Sequence, residues 1–152
     1  MTTIDGDIMD VHAVAKQFVE NFYRTFDANI ADLANLYEED ALLILDGRRI
    51  QGKEGILAEL TSLPFEQCEH HIATISCLRL GWLMVCVHGD IRLDGKEDAL
   101  PFTQTFSLTP APQGSFYIAV DVFLMNDHWV QDDGLNQRDS LLFGGYVSRS
   151  LH

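Results

Sequence analysis

A chain of 152 residues suits a single domain and can bury a core without a disulfide or metal staple. Its 23 acidic side chains outnumber its 10 basic ones, for a formal net charge of −13. Such a surface repels phosphate backbones and anionic lipid, which argues against direct nucleic-acid or membrane binding, and it draws basic partners as well as aiding solubility.

Residues 1–10 read as an acidic extension with no apolar run. No segment is long and apolar enough to span a bilayer, so a soluble intracellular protein without a signal peptide is expected. Val11, Val14, Ala15, Phe18, Val19, Phe22, Tyr23 and Phe26 recur at three- and four-residue spacing. They predict an amphipathic helix with Asp10 as its N-cap, broken at Asp27-Ala28-Asn29. Ile30, Leu33, Leu36 and Tyr37 predict a shorter second helix, followed by Glu38-Glu39-Asp40 as a solvated loop. Ala41 to Leu45 is an apolar strand, Asp46-Gly47 a hairpin turn, and Arg48 to Gln51 the returning strand. Glu54 to Leu60 predicts a third helix with Ile56, Leu57 and Leu60 inward, which Pro64 keeps from continuing.

Gln67 to Leu80 is extended in character. In Trp82 to Asp94 the odd positions Leu83, Val85, Val87, Ile91 and Leu93 form one apolar strand face. Asp94 to Asp98 is a turn. Phe102, Gln104, Phe106 and Leu108 alternate in the next strand, and Phe116, Ile118, Val120 and Val122 in the last. Helices first and then a run of strands predict an α+β domain, with an antiparallel sheet, over 11–125. Residues 126–152 form a C-terminal extension of poor periodicity; a mobile tail, packing across the sheet and packing into a partner subunit all stay open.

Little supports catalysis. There is no Gly-x-Ser-x-Gly elbow and no Gly-rich phosphate loop. The three cysteines, Cys68, Cys77 and Cys86, lack Cys-x-x-Cys or Cys/His ligand spacing and read as buried reduced thiols. His70 and His71 are strand neighbours that point to opposite faces, so they share no ligand site, and His88 reads as a solvated or hydrogen-bonded histidine. No metal or cofactor is expected. From Phe18 to Phe65 the chain instead reads as helices packed on a curved sheet, with a hydrophobic mouth beside an acidic turn. That suits an aromatic side chain flanked by lysines or arginines better than it suits a reaction.

The run FVENFYRTFD…LANLYEEDALLILDGRRIQGKEGILAELTSLPF, with EHHI at 69–72, FTQTFSLTP at 102–110 and FYIAVDVF at 116–123, resembles the nuclear transport factor 2 family over roughly residues 11–125. The resemblance implies a cone-shaped α+β fold, a bent antiparallel sheet wrapped around three N-terminal helices, dimerised through the sheet face. It implies a nuclear import carrier, not an enzyme, that binds the GTPase Ran in its GDP form and FxFG repeats of nucleoporins, and that works in cytoplasm, nucleus and nuclear pore. The fold is shared by the small subunit of an mRNA-export heterodimer and by stress-granule adaptors. It also includes isomerases and dehydratases with a cavity carboxylate as base, for which Asp121, Asp90, His88 and Tyr23 are the candidates here.

Carried over residue by residue, the resemblance puts Ran-binding acids at Asp46, Asp94 and Glu97 or Asp98, and lines the mouth with Leu45, Leu63, Phe65, Leu93 and Phe123. By themselves these apolar residues read as core. The family usually has Glu where Asp46 stands and in some members Trp where Leu45 stands, which shortens the acid's reach and lowers one wall. At the nucleoporin site Val11 replaces an aromatic residue and offers less stacking area. Trp129 could stand in for it, and Leu142-Phe143-Gly144 holds one FG-like dipeptide.

Overall fold

The computed structural model describes residues 2–112 and 114–125, with side chains from residue 11 onward. The expectations for 126–152, Trp129 and Leu142-Phe143-Gly144 among them, lie outside the described residues.

The first helix, α1, spans Thr2–Ala28 and so begins well before the N-cap expected at Asp10. Ile4 and Ile8 continue the four-and-three spacing into Val11 and Ala15, and no proline interrupts them. Ala15, Phe18, Val19, Phe22 and Tyr23 of α1 are buried. Asn29 then accepts the Ala31 N–H through Oδ1 at 3.2 Å and caps a 3₁₀ helix over Ile30–Leu36, where an α-helix reaching Tyr37 was expected. Tyr37 instead turns extended, with φ −101° and ψ 144°, and opens strand β1, Tyr37–Leu45. Glu38 to Asp40 therefore belong to a strand rather than a solvated loop. Glu38 Oε2 accepts the Thr109 hydroxyl, and the Asp40 carbonyl accepts Gln51 Nε2 at 2.7 Å.

Asp46 and Gly47 have φ of 50° and 90°, the left-handed pair that a two-residue hairpin needs, and Leu45 pairs with Arg48 across it. Strand β2 is Arg48–Gln51 and helix α2 is Lys53–Thr61, with Ile56 and Leu60 buried and Leu57 half-buried. The strands β3 (Cys68–Arg79), β4 (Leu83–Leu93), β5 (Leu100–Pro110) and β6 (Phe116–Met125) form an antiparallel meander.

The sheet order is β2-β1-β6-β5-β4-β3, and β6 lies parallel to β1. The sheet is thus mixed, not wholly antiparallel, because the meander returns its last strand to the free edge of β1 in the same direction. The three helical segments pack on one side of this bent, unclosed sheet, giving the α+β cone. The odd-numbered apolar face of β4 is buried as expected. Phe106 is its aromatic anchor, with ring centroids 4.8 Å from Phe22 and 5.3 Å from Phe18, both edge-on.

Strand β6 departs from simple alternation. Leu108 pairs with Ile118 but Ser107 pairs with Val120, so Ala119 is an extra residue. The bulge swaps the faces. Ile118 is buried, and beyond it Asp121, Phe123 and Met125 point inward, while Val120 and Val122, expected on the core face, are only half-buried.

Candidate functional site

Four elements converge on one concavity. α1 brings Phe22 and Phe26, β1 brings Leu43 and Leu45, α2 and its exit bring Leu60, Leu63 and Phe65, and β6 brings Phe123 and Asp121. His70 and Ile91 complete the wall, and Tyr37 and Gln104 the floor. Of the residues expected at the mouth, Leu45, Leu63, Phe65 and Phe123 meet here. Leu93 does not line the concavity; it is buried in the core, and Ile91, one inward position earlier on β4, lines it instead. The free volume is about 20 Å³, room for roughly one water molecule.

The floor is a closed polar chain. The Tyr23 hydroxyl donates to Gln104 Oε1 at 2.5 Å, and Gln104 Nε2 donates to Asp121 Oδ1 at 2.7 Å. The Tyr37 hydroxyl donates to Asp121 Oδ2 at 2.6 Å. Burial pushes the Asp121 carboxyl up to about 6, against the opposing pull of the Gln104 and Tyr37 bonds. Burial and the charge of Asp121 likewise raise the Tyr23 and Tyr37 hydroxyls far above their usual range. Asp121 became a floor residue through the bulge at Ala119; its position in an alternating strand gave no signal of it. Of the other acid–base candidates, Tyr23 joins this chain through Gln104. Asp90 and His88 do not: they are exposed, and His88 Nδ1 lies 3.0 Å from the Thr103 hydroxyl.

The expected acids fall into three environments. Asp46 is buried, 2% exposed, rather than standing out on the lip. Its N–H donates to the Phe123 carbonyl at 2.9 Å and its Oδ1 accepts the Met125 N–H at 3.2 Å, which binds the β1–β2 turn to the end of β6. Asp94 is exposed, in a second Asp-Gly turn with φ of 52°. Its Oδ1 accepts the N–H groups of Glu66 at 2.9 Å and Gln67 at 3.0 Å, and these bonds hold the carboxyl below its usual range. Asp94 thereby pins the segment just after Leu63-Pro64-Phe65. Glu97 and Asp98 are both exposed in the same loop.

Val11 lies apart from the mouth, half-buried in a groove of about 260 Å³ with Val14, Arg79, Trp82, Leu83 and Phe116. Trp82, at the turn between β3 and β4, is 44% exposed there, with Leu78 and Leu80 also exposed. In the sequence Trp82 falls within a strand pattern, and the preceding Gly81 turn is the signal that its ring stands free.

A model of the nuclear transport factor 2 domain matches residues 14–125. Nuclear transport factor 2B of Arabidopsis thaliana is 50% identical over 121 residues, covering 78% of this chain and 96% of that protein. Nuclear transport factor 2 of Oryza sativa is 43% identical, covering 78% and 98%. The solved structure of Ntf2 from Cryptosporidium parvum superposes with a TM-score of 0.72 at 32% identity, covering 76% of this chain and 94% of that one. The chain belongs to the nuclear transport factor 2 family.

Proposed function

We propose that this protein carries Ran-GDP through the nuclear pore, as a homodimer that also holds FxFG repeats of nucleoporins. The observation that carries the reading is the mouth itself. Leu45, Leu63, Phe65 and Phe123 surround an apolar entrance between two Asp-Gly turns, each tied by hydrogen bonds to a neighbouring segment. An aromatic side chain entering there would exclude water against apolar walls, basic neighbours would meet the exposed Asp94 and Glu97 or Asp98 through charge-assisted bonds, and Asp46, buried in the closed mouth, would join them as the mouth widens. The mouth has to widen to admit a ring, and the half-buried Leu63 and Phe65 on the exit of α2 are the walls placed to move.

The remaining parts suit the same task. Leu42, Ile44, Met84, Val120, Val122 and Leu124 are half-buried on the sheet face away from α1, a band suited to a second copy of the chain. The Val11 groove gains from Trp82 the aromatic surface that Val11 lacks, and an FxFG phenylalanine fits it. The acidic net charge speeds encounter with basic partners. The protein then moves between cytoplasm and nucleus, without enzymatic activity.

A second reading has one observation in its favour. Asp121, buried and 2.6 Å from the Tyr37 hydroxyl, is the kind of cavity carboxylate that acts as a general base on this fold. Against it, both oxygens of Asp121 are engaged and the free volume of about 20 Å³ holds no substrate.

Parallel capture of Ran-GDP, Ran-GTP and an FxFG peptide tests the proposal, with light scattering for the oligomer. Binding of Ran-GDP and the peptide but not Ran-GTP, by a particle of twice the chain mass, is expected. Peptide binding without either form of Ran would point to an adaptor instead, and recovery only with a second chain type to a heterodimer subunit.

A further inference from the structure

Cys68 and His70 stand two residues apart on β3, so both side chains leave the same face of the strand, and the last turn of α1 brings Asp27 against them. Spacing along the chain does not reveal the cluster, because strand pairs two apart and a carboxylate from another element leave no local motif. Cys68 Sγ, His70 Nδ1 and an Asp27 oxygen all lie within 4.8 Å of one another. The Cys68 thiol donates to Asp27 Oδ1 at 3.2 Å, His70 Nδ1 lies 2.7 Å from the same oxygen, and Asp27 Oδ2 accepts the His70 N–H at 3.0 Å.

We propose that Asp27, Cys68 and His70 form a site for a zinc-class divalent cation, with three protein ligands and a fourth position open to solvent. One thiolate, one imidazole and one carboxylate suit zinc or cobalt, and exclude the all-oxygen preference of magnesium and calcium. Tetrahedral bonds of zinc-like length separate such donors by roughly 3.3–3.6 Å, so His70 Nδ1, 2.7 Å from Asp27 Oδ1, has to part from it by about 0.6 Å, and Cys68 Sγ, 3.2 Å from that oxygen, by about 0.4 Å. An open groove of about 320 Å³, lined by Asp27, Cys68, Phe65 and Glu66, runs past the cluster and provides both the entry path and room for a water ligand. The His70 ring packs against Tyr23 and Phe26, with ring centroids 4.5 Å and 4.9 Å away, which fixes its direction.

Electrostatics adds an independent reason. Asp27 sits at the C-terminal end of α1, where the helix dipole disfavours a carboxylate and the last turn carries no basic residue. A divalent cation would neutralise both the carboxylate and the helix end. On binding, the Cys68 proton is released to solvent and His70 presents an unprotonated Nδ1 as the ligand. The ion would then join the end of α1 to the start of β3, directly behind Phe65.

Chelator-treated, untagged full-length protein titrated with cobalt(II) tests this. One cobalt per chain with a thiolate charge-transfer absorption is expected, displaced by zinc. Cys68→Val, which keeps an apolar side chain, should abolish the absorption, and Asp27→Asn should weaken binding by about ten-fold or more while circular dichroism stays native. No thiolate absorption in the wild type overturns the site, as does an absorption that survives in Cys68→Val.

Discussion

The Tyr37 hydroxyl donates to Asp121 Oδ2 at 2.6 Å across 84 residues of chain, joining the first residue of β1 to the middle of β6. Parallel pairing of those two strands and a one-residue bulge in the second are both needed to bring the groups together. Removing the hydroxyl alone, in Tyr37→Phe, leaves Asp121 short of one donor. A loss of about 1–3 kcal/mol is expected, read by urea denaturation at pH 7.

Asp121 makes stability fall with rising pH. Its folded value of about 6 lies above the ordinary aspartate value of 3.8, so between those two the folded state binds more protons than the unfolded. Its favourable contribution is present below 3.8 and lost as pH rises through 6, a change of about 3 kcal/mol at 1.36 kcal/mol per unit. Asp121→Asn removes that dependence. The wild type should therefore lose about 2 kcal/mol relative to the variant between pH 4 and pH 7; parallel curves would show that Asp121 does not titrate there.

Charge and structure at Asp46 can be separated. Asparagine tolerates the left-handed φ of 50° and keeps an acceptor for the Met125 N–H, so Asp46→Asn should keep the fold and the oligomeric state of the wild type. Its affinity for Ran-GDP should drop by about ten-fold or more, measured by calorimetry. Unchanged affinity would remove Asp46 from the binding acids.

At Asp94 the same pair of tasks is split between the carboxylate and the loop it holds. Asp94→Ala frees the N–H groups of Glu66 and Gln67, and their hydrogen exchange should speed up, with weaker capture of Ran-GDP. Asp94→Asn should keep the exchange protection and lose the capture.

Gly89 marks a close backbone approach on β4. A Cβ there would lie 2.3 Å from the His71 carbonyl oxygen, where the β3–β4 register shifts between Ile72 and Thr74. Gly89→Ala should cost about 1–3 kcal/mol in thermal or urea unfolding without touching either binding surface.

What could be read in advance follows from how local each signal is. The α1 stripe, the Asp46-Gly47 hairpin, α2 with its Pro64 stop and the odd-numbered face of β4 depend on neighbours within a few residues, and all appear where spacing places them. Tyr37 departs from the expected helix because, although its ring continues the helical spacing of Leu33 and Leu36, its hydroxyl finds its partner in Asp121 of β6. Val120 and Val122 were misplaced because one extra residue inverts every later face. Asp46 reads as an exposed turn acid until the end of β6 covers it.

The amino-acid sequence by itself determined the family, the α+β order of elements, the acidic composition and four of the residues that meet at the mouth, Leu45, Leu63, Phe65 and Phe123. These are carried by short-range spacing and by several motifs in one order. Only the tertiary structure decided that Asp121 forms the floor, that Trp82 stands beside Val11, and that Asp27 meets Cys68 and His70. Each of those depends on strand register or on contact between distant elements. Register is set by the summed burial of a whole sheet face, which no local stretch of residues encodes.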